Sequence, residues 1–289
     1  MSEALVWNRL HRELKGLVDA VPAAAGVCVK DLTTGTTIGV NENELFPAAS
    51  TIKIQILTQV LRRAELGELD LDRKVPLTSD VMVPGSGVIA YFEDLEELTV
   101  RDIAVLMIQV SDNTATNLCI DWATYEGTNA LMRECGLEKS VLRRKMQDHV
   151  SVREGRENLT TPAEMAQFMD VLHKAEKLSP SVCATVLKFM KKWKRSHLTP
   201  GLPADAVLCS KTGGMDKVRN DVGIVQLQWR PYAICVFTKY GLTVPADQER
   251  FIAECARVTH LHMATLDVTS THGQGVPAQY RSQVAHQPG

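Results

Sequence analysis

"FPAASTIKIQILTQVL", residues 46–61, is apolar almost throughout, yet it carries Ser50 and Lys53 three apart among Ile52, Ile54, Ile56, Leu57 and Val60. Ser50 follows Pro47-Ala48-Ala49 and sits where a helix would start, a usual place for a serine as an N-cap. On a helix, positions i and i+3 share one face, so Lys53 points back toward Ser50. One reading is a capping serine and a lysine that runs its methylenes along apolar surface and its ammonium out to water. The other is a nucleophile with its base. Ordinary composition yields roughly one S-x-x-K by accident in a chain this long, so the rest of the sequence has to decide.

Moving outward from this segment, residues 4–19 place Leu10, Leu14, Leu17 and Val18 at helical spacing between charges. "GVCVKDLTTGTTIGV" (26–40) reads as two strands around a Thr-Thr-Gly turn. Helical segments then dominate: 50–65, 99–110, 114–124, 162–176 behind Thr160-Thr161-Pro162, and 179–194. Strands return at "AVLCSKTGG" (206–214), "DVGIVQLQW" (221–229) and "YAICVFTKY" (232–240), the last two forming a hairpin across Arg230-Pro231. A final helix over about 245–263 turns Phe251, Ile252, Cys255 and Val258 inward.

Strands at both ends and helices between them imply an α+β fold, an antiparallel sheet flanked by helices with an added helical lobe. The expected organisation is one domain over 1–264, with an α/β lobe from 1–41 and 205–264 and a helical lobe from 42–204. A cleft between lobes is where a site would lie. Residues 265–289, rich in Gly, Ser, Gln and Pro without periodicity, read as a disordered tail.

Composition narrows the function. A net charge of −2 with 45% hydrophobic residues fits an ordinary globular chain of 289 residues, not a nucleic-acid binder. The basic run "KKWKR" (191–195) stands alone and reads as a solvated helix end. No run of 18 apolar residues would span a membrane. The first residues lack a basic stretch followed by an apolar one, so a cytoplasmic location is expected unless processing has removed a leader. Seven scattered cysteines with no C-x-x-C read as reduced core residues. His260 and His262 point to different faces of one helix, which gives no metal site.

Two further triplets decide between the readings of Ser50 and Lys53. Ser111-Asp112-Asn113 lies between two helices, and Lys211-Thr212-Gly213 lies near the end of a strand. Each is expected by chance well under once in such a chain. The order S-x-x-K, S-D-N, K-T-G, with serine-to-serine and serine-to-lysine separations of 61 and 100 residues, is not an accident of composition. In these residues the chain resembles the class A serine β-lactamases and the penicillin-binding proteins related to them. "LTVRDIAVLMIQVSDNTATNL" and "TTPAEM" add to the resemblance, which spans roughly 20–263.

The chemistry accounts for the residue types. A serine hydroxyl is a weak nucleophile that needs a base. A lysine desolvated among isoleucines has its pKa lowered, so its neutral amine can take that proton. Ser111 can relay a proton to a leaving nitrogen, and Asn113 can hold a substrate amide or fix the lysine. Lys211 offers positive charge to a substrate carboxylate, and the strand edge after Thr212 and Gly213 can pair with an acyl group. The resemblance implies an oxyanion hole formed by the N–H groups of Ser50 and Gly214. Gly213 and Gly214 would allow the close approach it needs. Arg219 is either a further carboxylate anchor or an exposed turn arginine. Tyr91 in "PGSGVIAYF" (84–92) either lines the cleft or packs.

The resemblance fails at one place. Class A enzymes carry a glutamate, before the T-T-P helix, that activates the deacylating water. Here "LRRKMQDHVSVREGRENLTTPAEM" has no such pattern, and an ungapped count back from Thr160-Thr161-Pro162 meets Lys145. Asp148, Glu154 and Glu157 are the nearby carboxylates; each is either the deacylation base or an ordinary loop charge. The sequence therefore implies a β-lactamase-like serine hydrolase that works through acyl-Ser50, without metal or cofactor, and deacylates β-lactams slowly. Its substrate would be a small-molecule or peptide-like amide or ester, including carboxylate-bearing ones. The alternative is a penicillin-binding or sensor-type domain that acylates or binds without efficient turnover.

Overall fold

Residues 232–239 are apolar at every position but the last two, as a strand covered on both faces requires. The computed structural model, which describes residues 3–191 and 195–280, puts this strand at the centre of a sheet. In chain order the elements begin with α1 (Glu3–Ala20), β1 (Ala24–Asp31), β2 (Thr37–Val40), β3 (Phe46–Pro47), a 3-10 turn (Ala49–Ile52) and α2 (Lys53–Glu65). There follow β4 (Lys74–Pro76), β5 (Glu97–Thr99), α3 (Val100–Gln109), α4 (Asn113–Ala123), α5 (Tyr125–Glu134), α6 (His149–Arg153) and β6 (Leu159–Thr160). The chain continues through α7 (Pro162–Lys174), α8 (Pro180–Lys191), β7 (Val207–Met215), β8 (Val218–Gln226), β9 (Tyr232–Lys239) and α9 (Pro245–Asp267).

The main sheet has the order β2-β1-β9-β8-β7 and is antiparallel throughout. Alternation along β9 serves two cores. Ala233, Cys235 and Phe237 join one with Ile54, Val60, Met107 and Phe168 of the helical layer. Ile234 and Val236 join the other with Leu10, Leu14, Phe251 and Ile252 of the terminal helices. The α+β reading of the sequence therefore holds. β7 is an edge strand of the sheet among the described residues.

The apolar run that opens α2 now has its explanation. Within the first nine residues of α2 only Gln59 escapes full burial, because the helix runs through the middle of its layer. A helix surrounded by protein needs no polar face.

Several boundaries differ from the sequence expectation. The 50–65 helix is a 3-10 turn followed by α2, and α4 begins at Asn113. α5 and α6 were not expected: α5 carries Gly127 and few apolar residues, and α6 is only five residues long. The disordered tail is corrected at its start, since α9 continues to Asp267 and Thr269 bridges Gly275. Residues 281–289 lie outside the described residues. So do Lys192–Lys194, the centre of the basic run and the end of the helix expected to 194. All seven cysteines are buried and free.

Candidate active site

Ser50 is set by a backbone conformation that an alanine rarely adopts. Ala49 has φ +48, in the left-handed region, and this sharp turn delivers Ser50 into the 3-10 turn. Strain of that kind costs on the order of 1–3 kcal/mol and persists only where the surroundings enforce it. The N-cap reading of Ser50 is corrected: the turn and α2 are preceded by Ala48 and Ile52, neither with a side-chain cap bond. Thr51 Oγ1 instead donates to Ala48 O at 2.7 Å. Ser50 itself is half-buried and lines a cavity of about 430 Å³.

Lys53 does not reach water; it is fully buried. Its Nζ donates to Ser111 O at 2.8 Å, to Ser111 Oγ at 3.1 Å and to Asn113 Oδ1 at 3.4 Å. Burial lowers its pKa to about 7, against the opposing pull of Asp112 and Cys119. An amine in this setting can be neutral at ordinary pH and accept a proton.

Ser111 also occupies the left-handed region, with φ +58, in the connection between α3 and α4. From the other side Lys211, buried on edge strand β7, donates to Ser111 Oγ at 3.1 Å and to Thr212 O at 2.8 Å. One hydroxyl thus stands between two lysines that come from a helix and a strand 158 positions apart in sequence.

Asp112, given no role by the sequence, holds this arrangement. Its Oδ1 accepts from Ala115 N at 2.9 Å and caps α4. Its Oδ2 accepts from Val88 N at 2.7 Å and Ile89 N at 2.9 Å, drawing the 84–92 loop onto the site. Asn113 adds Nδ2 donation to Pro84 O at 3.0 Å. Tyr91 stands 77% exposed beside a side cavity of about 150 Å³ that Ser86 shares with the main one. Packing is not its use.

On the sheet side, a Cβ on Gly213 would stand 3.0 Å from Ala48 O, 3.1 Å from Ala49 Cβ and 3.2 Å from Ser50 N. A Cβ on Gly214 would meet nothing nearer than 3.6 Å, so close approach is a demand on Gly213 alone. Asn220 completes the junction, its Nδ2 donating to Pro47 O at 2.9 Å. Thr212 lies opposite Asp221 in the β7–β8 ladder. Arg219 turns its guanidinium to Met215 O and Val218 O, both at 2.7 Å, and toward Glu249 at 3.4 Å.

The three loop carboxylates are occupied. Asp148 caps α6, accepting from Ser151 N at 2.9 Å and Ser151 Oγ at 2.7 Å, bonds that lower its pKa. Glu154 pairs with Arg156 at the surface. Glu157 does line the cavity, but Arg144 holds Oε1 at 2.7 and 2.9 Å and Asn158 N donates to it at 2.8 Å. Met146, Gln147, His149 and Asp216 also line the cavity, and no motif in the sequence marks them. The Gly85 and Gly87 pair opposite was the one signal of a loop pressed close. Among the described residues no cluster of His, Cys, Asp and Glu could hold a metal, and no helix is long and apolar enough to cross a membrane.

Residues 9–263 match the model of the beta-lactamase enzyme family. Beta-lactamase SME-1 of Serratia marcescens is 25% identical over 255 residues, which is 86% of this chain and 86% of that one. The crystal structure of a beta-lactamase from Sphaerobacter thermophilus superposes with a TM-score of 0.82 at 29% identity, over 89% of this chain and 98% of the other. The structure of PBP-A superposes with a TM-score of 0.79 at 28% identity, over 88% and 95%.

Proposed function

Because the chain belongs to the beta-lactamase enzyme family, as its match over residues 9–263 establishes, we propose that Ser50 is the nucleophile of its active site. The chain is a β-lactamase-like serine hydrolase. In our reading, neutral Lys53 takes the Ser50 proton as Oγ attacks the substrate carbonyl. The oxyanion is met by the N–H groups of Ser50 and Gly214, each worth a few kcal/mol in such sites. Lys53 returns the proton through Ser111 to the leaving nitrogen, and the C–N bond breaks to leave acyl-Ser50. Lys211 steadies Ser111 and offers charge to a substrate carboxylate, while the edge of β7 after Thr212 and Gly213 receives the acyl amide. Asn113 orients Lys53, and Arg219 braces the β7–β8 turn. The substrate class is a small-molecule β-lactam or a peptide-like amide or ester that bears a carboxylate.

The observation that carries this reading is Ser111 Oγ held at 3.1 Å from both lysines, beside a Lys53 that burial has made a base. Release of the acyl group is the weak step in this reading, because Glu157 is tied to Arg144, Asp148 and Glu154 do not face the cavity, and Asp216, which also lines it, comes from the β7–β8 turn and not from the loop before α7. That occupancy also supports a second reading, in which a lasting acyl-enzyme serves as a signal instead of an intermediate. Labelling with a β-lactam or fluorophosphonate probe tests the nucleophile. Ser50→Ala should lose the label and keep the parent's circular dichroism. Undiminished labelling of that variant would remove Ser50 from its role.

A further inference from the structure

Gln147 is held in a conformation that its own neighbours dictate. The preceding residue is clamped, with Met146 N donating to Asn117 Oδ1 at 2.7 Å and Asn117 Nδ2 returning a bond to Met146 O at 3.2 Å. The following residue, Asp148, is fixed as the cap of α6. Between them Gln147 takes φ +61, a left-handed value that favours glycine, and lines the same cavity as Ser50.

Its side chain crosses to the opposite loop. The Gln147 amide nitrogen lies 2.6 Å from where a Cβ on Gly85 would stand, and the Asn113 amide nitrogen lies 3.0 Å from the same point. Gly85 has φ +97, so the backbone favours glycine there, and the missing Cβ leaves the space into which the Gln147 amide reaches. The loop that receives the contact is itself anchored. Asn113 N donates to Ser86 O at 2.9 Å, and Asp112 accepts from Val88 and Ile89. Two fixed loops are therefore spanned by one amide side chain.

We infer that Gln147 is a specificity-determining residue: spanning the cleft to Gly85, it limits the bulk of the acyl group that fits beside Ser50. The inference rests on the acyl-Ser50 reading for its substrate class and on the cleft geometry for its content. Compact acyl groups pass under the strut, and groups branched close to the amide carbonyl collide with it. The strained backbone at Gln147 is what aims its side chain across the cleft.

Two penicillins provide the test, one with a phenylacetyl and one with a dimethoxybenzoyl side chain. Their equilibrium affinities are measured on Ser50→Ala protein with Gln147 intact or replaced by Gly, which suits the backbone, or by Met, which keeps the length. Gln147→Gly should tighten the bulky penicillin by about tenfold and the compact one by less than about twofold. Gln147→Met should keep the parent's discrimination. An unchanged ratio in the glycine variant, or a methionine variant that behaves like it, overturns the inference. Acyl-enzyme formation is measured separately in the Ser50 protein; no adduct with either penicillin overturns the acyl-Ser50 reading, while the binding ratio still decides the role of Gln147.

Discussion

Lys53 meets two opposed demands, because the burial that makes it a base also opposes its charge. In the proposed reaction the amine that accepts a proton from Ser50 is the unprotonated one, so acylation should rise as pH climbs through about 7 and then level off. Stability follows with a fixed sign. A free lysine titrates near 10.5, so between about 7 and 10.5 the unfolded chain holds a proton that the folded chain lacks. Stability contributed by this group therefore increases with pH across that window, and the penalty is complete below it. Lys53→Met removes the titration. The melting temperature of the variant relative to the parent should shift in the parent's favour as pH rises from about 6 to about 9. Acylation by the variant should fall by several orders of magnitude, as for other members of a catalytic unit. A melting difference that ignores pH would mean that Lys53 is not the buried neutral amine described here.

Edge strand β7 and the Ser50 turn touch through a glycine, and the two adjacent glycines make opposite predictions. Gly213→Ala forces contacts of 3.0–3.2 Å against Ala48, Ala49 and Ser50, so the turn must give by a few tenths of an ångström. Acylation should drop by about tenfold or more, since small displacements of reacting groups are costly. Gly214→Ala brings only ordinary contacts and should acylate within about twofold of the parent. Equal losses in second-order acylation rate would show that this packing does not place the nucleophile. Ser111, Asn113, Lys211 and Gly213 stood out in the sequence because motifs mark them, and the fold brings them together around Ser50 and Lys53. The turn at Ser50 did not, since a left-handed alanine leaves no compositional mark and an N-cap predicts the same serine. The roles of Asp112 and Asn220 were hidden for another reason. Each acts on main-chain groups far away in sequence, Val88 and Ile89 in one case and Pro47 in the other.

Across the whole molecule, the sheet is built from strands at both ends of the chain, and its apolar alternation made that architecture legible. What the sequence could not show was which loop charges were already engaged. Asp148, Glu154 and Glu157 differ little as letters, yet they end as a helix cap, a surface pair and a cavity-wall pair with Arg144. That engagement bears directly on turnover: Ser50 is expected to acylate readily, while none of the three loop carboxylates both lines the described cavity and stands free of a cation to deliver water to the ester. Rapid mixing with a chromogenic β-lactam, followed by intact-protein and peptide mass spectrometry, tests it most directly. The expected result is a burst of one product per active site, a slow steady phase, and a lasting adduct confined to the peptide that carries Ser50. Fast steady hydrolysis with no burst and no adduct would contradict it.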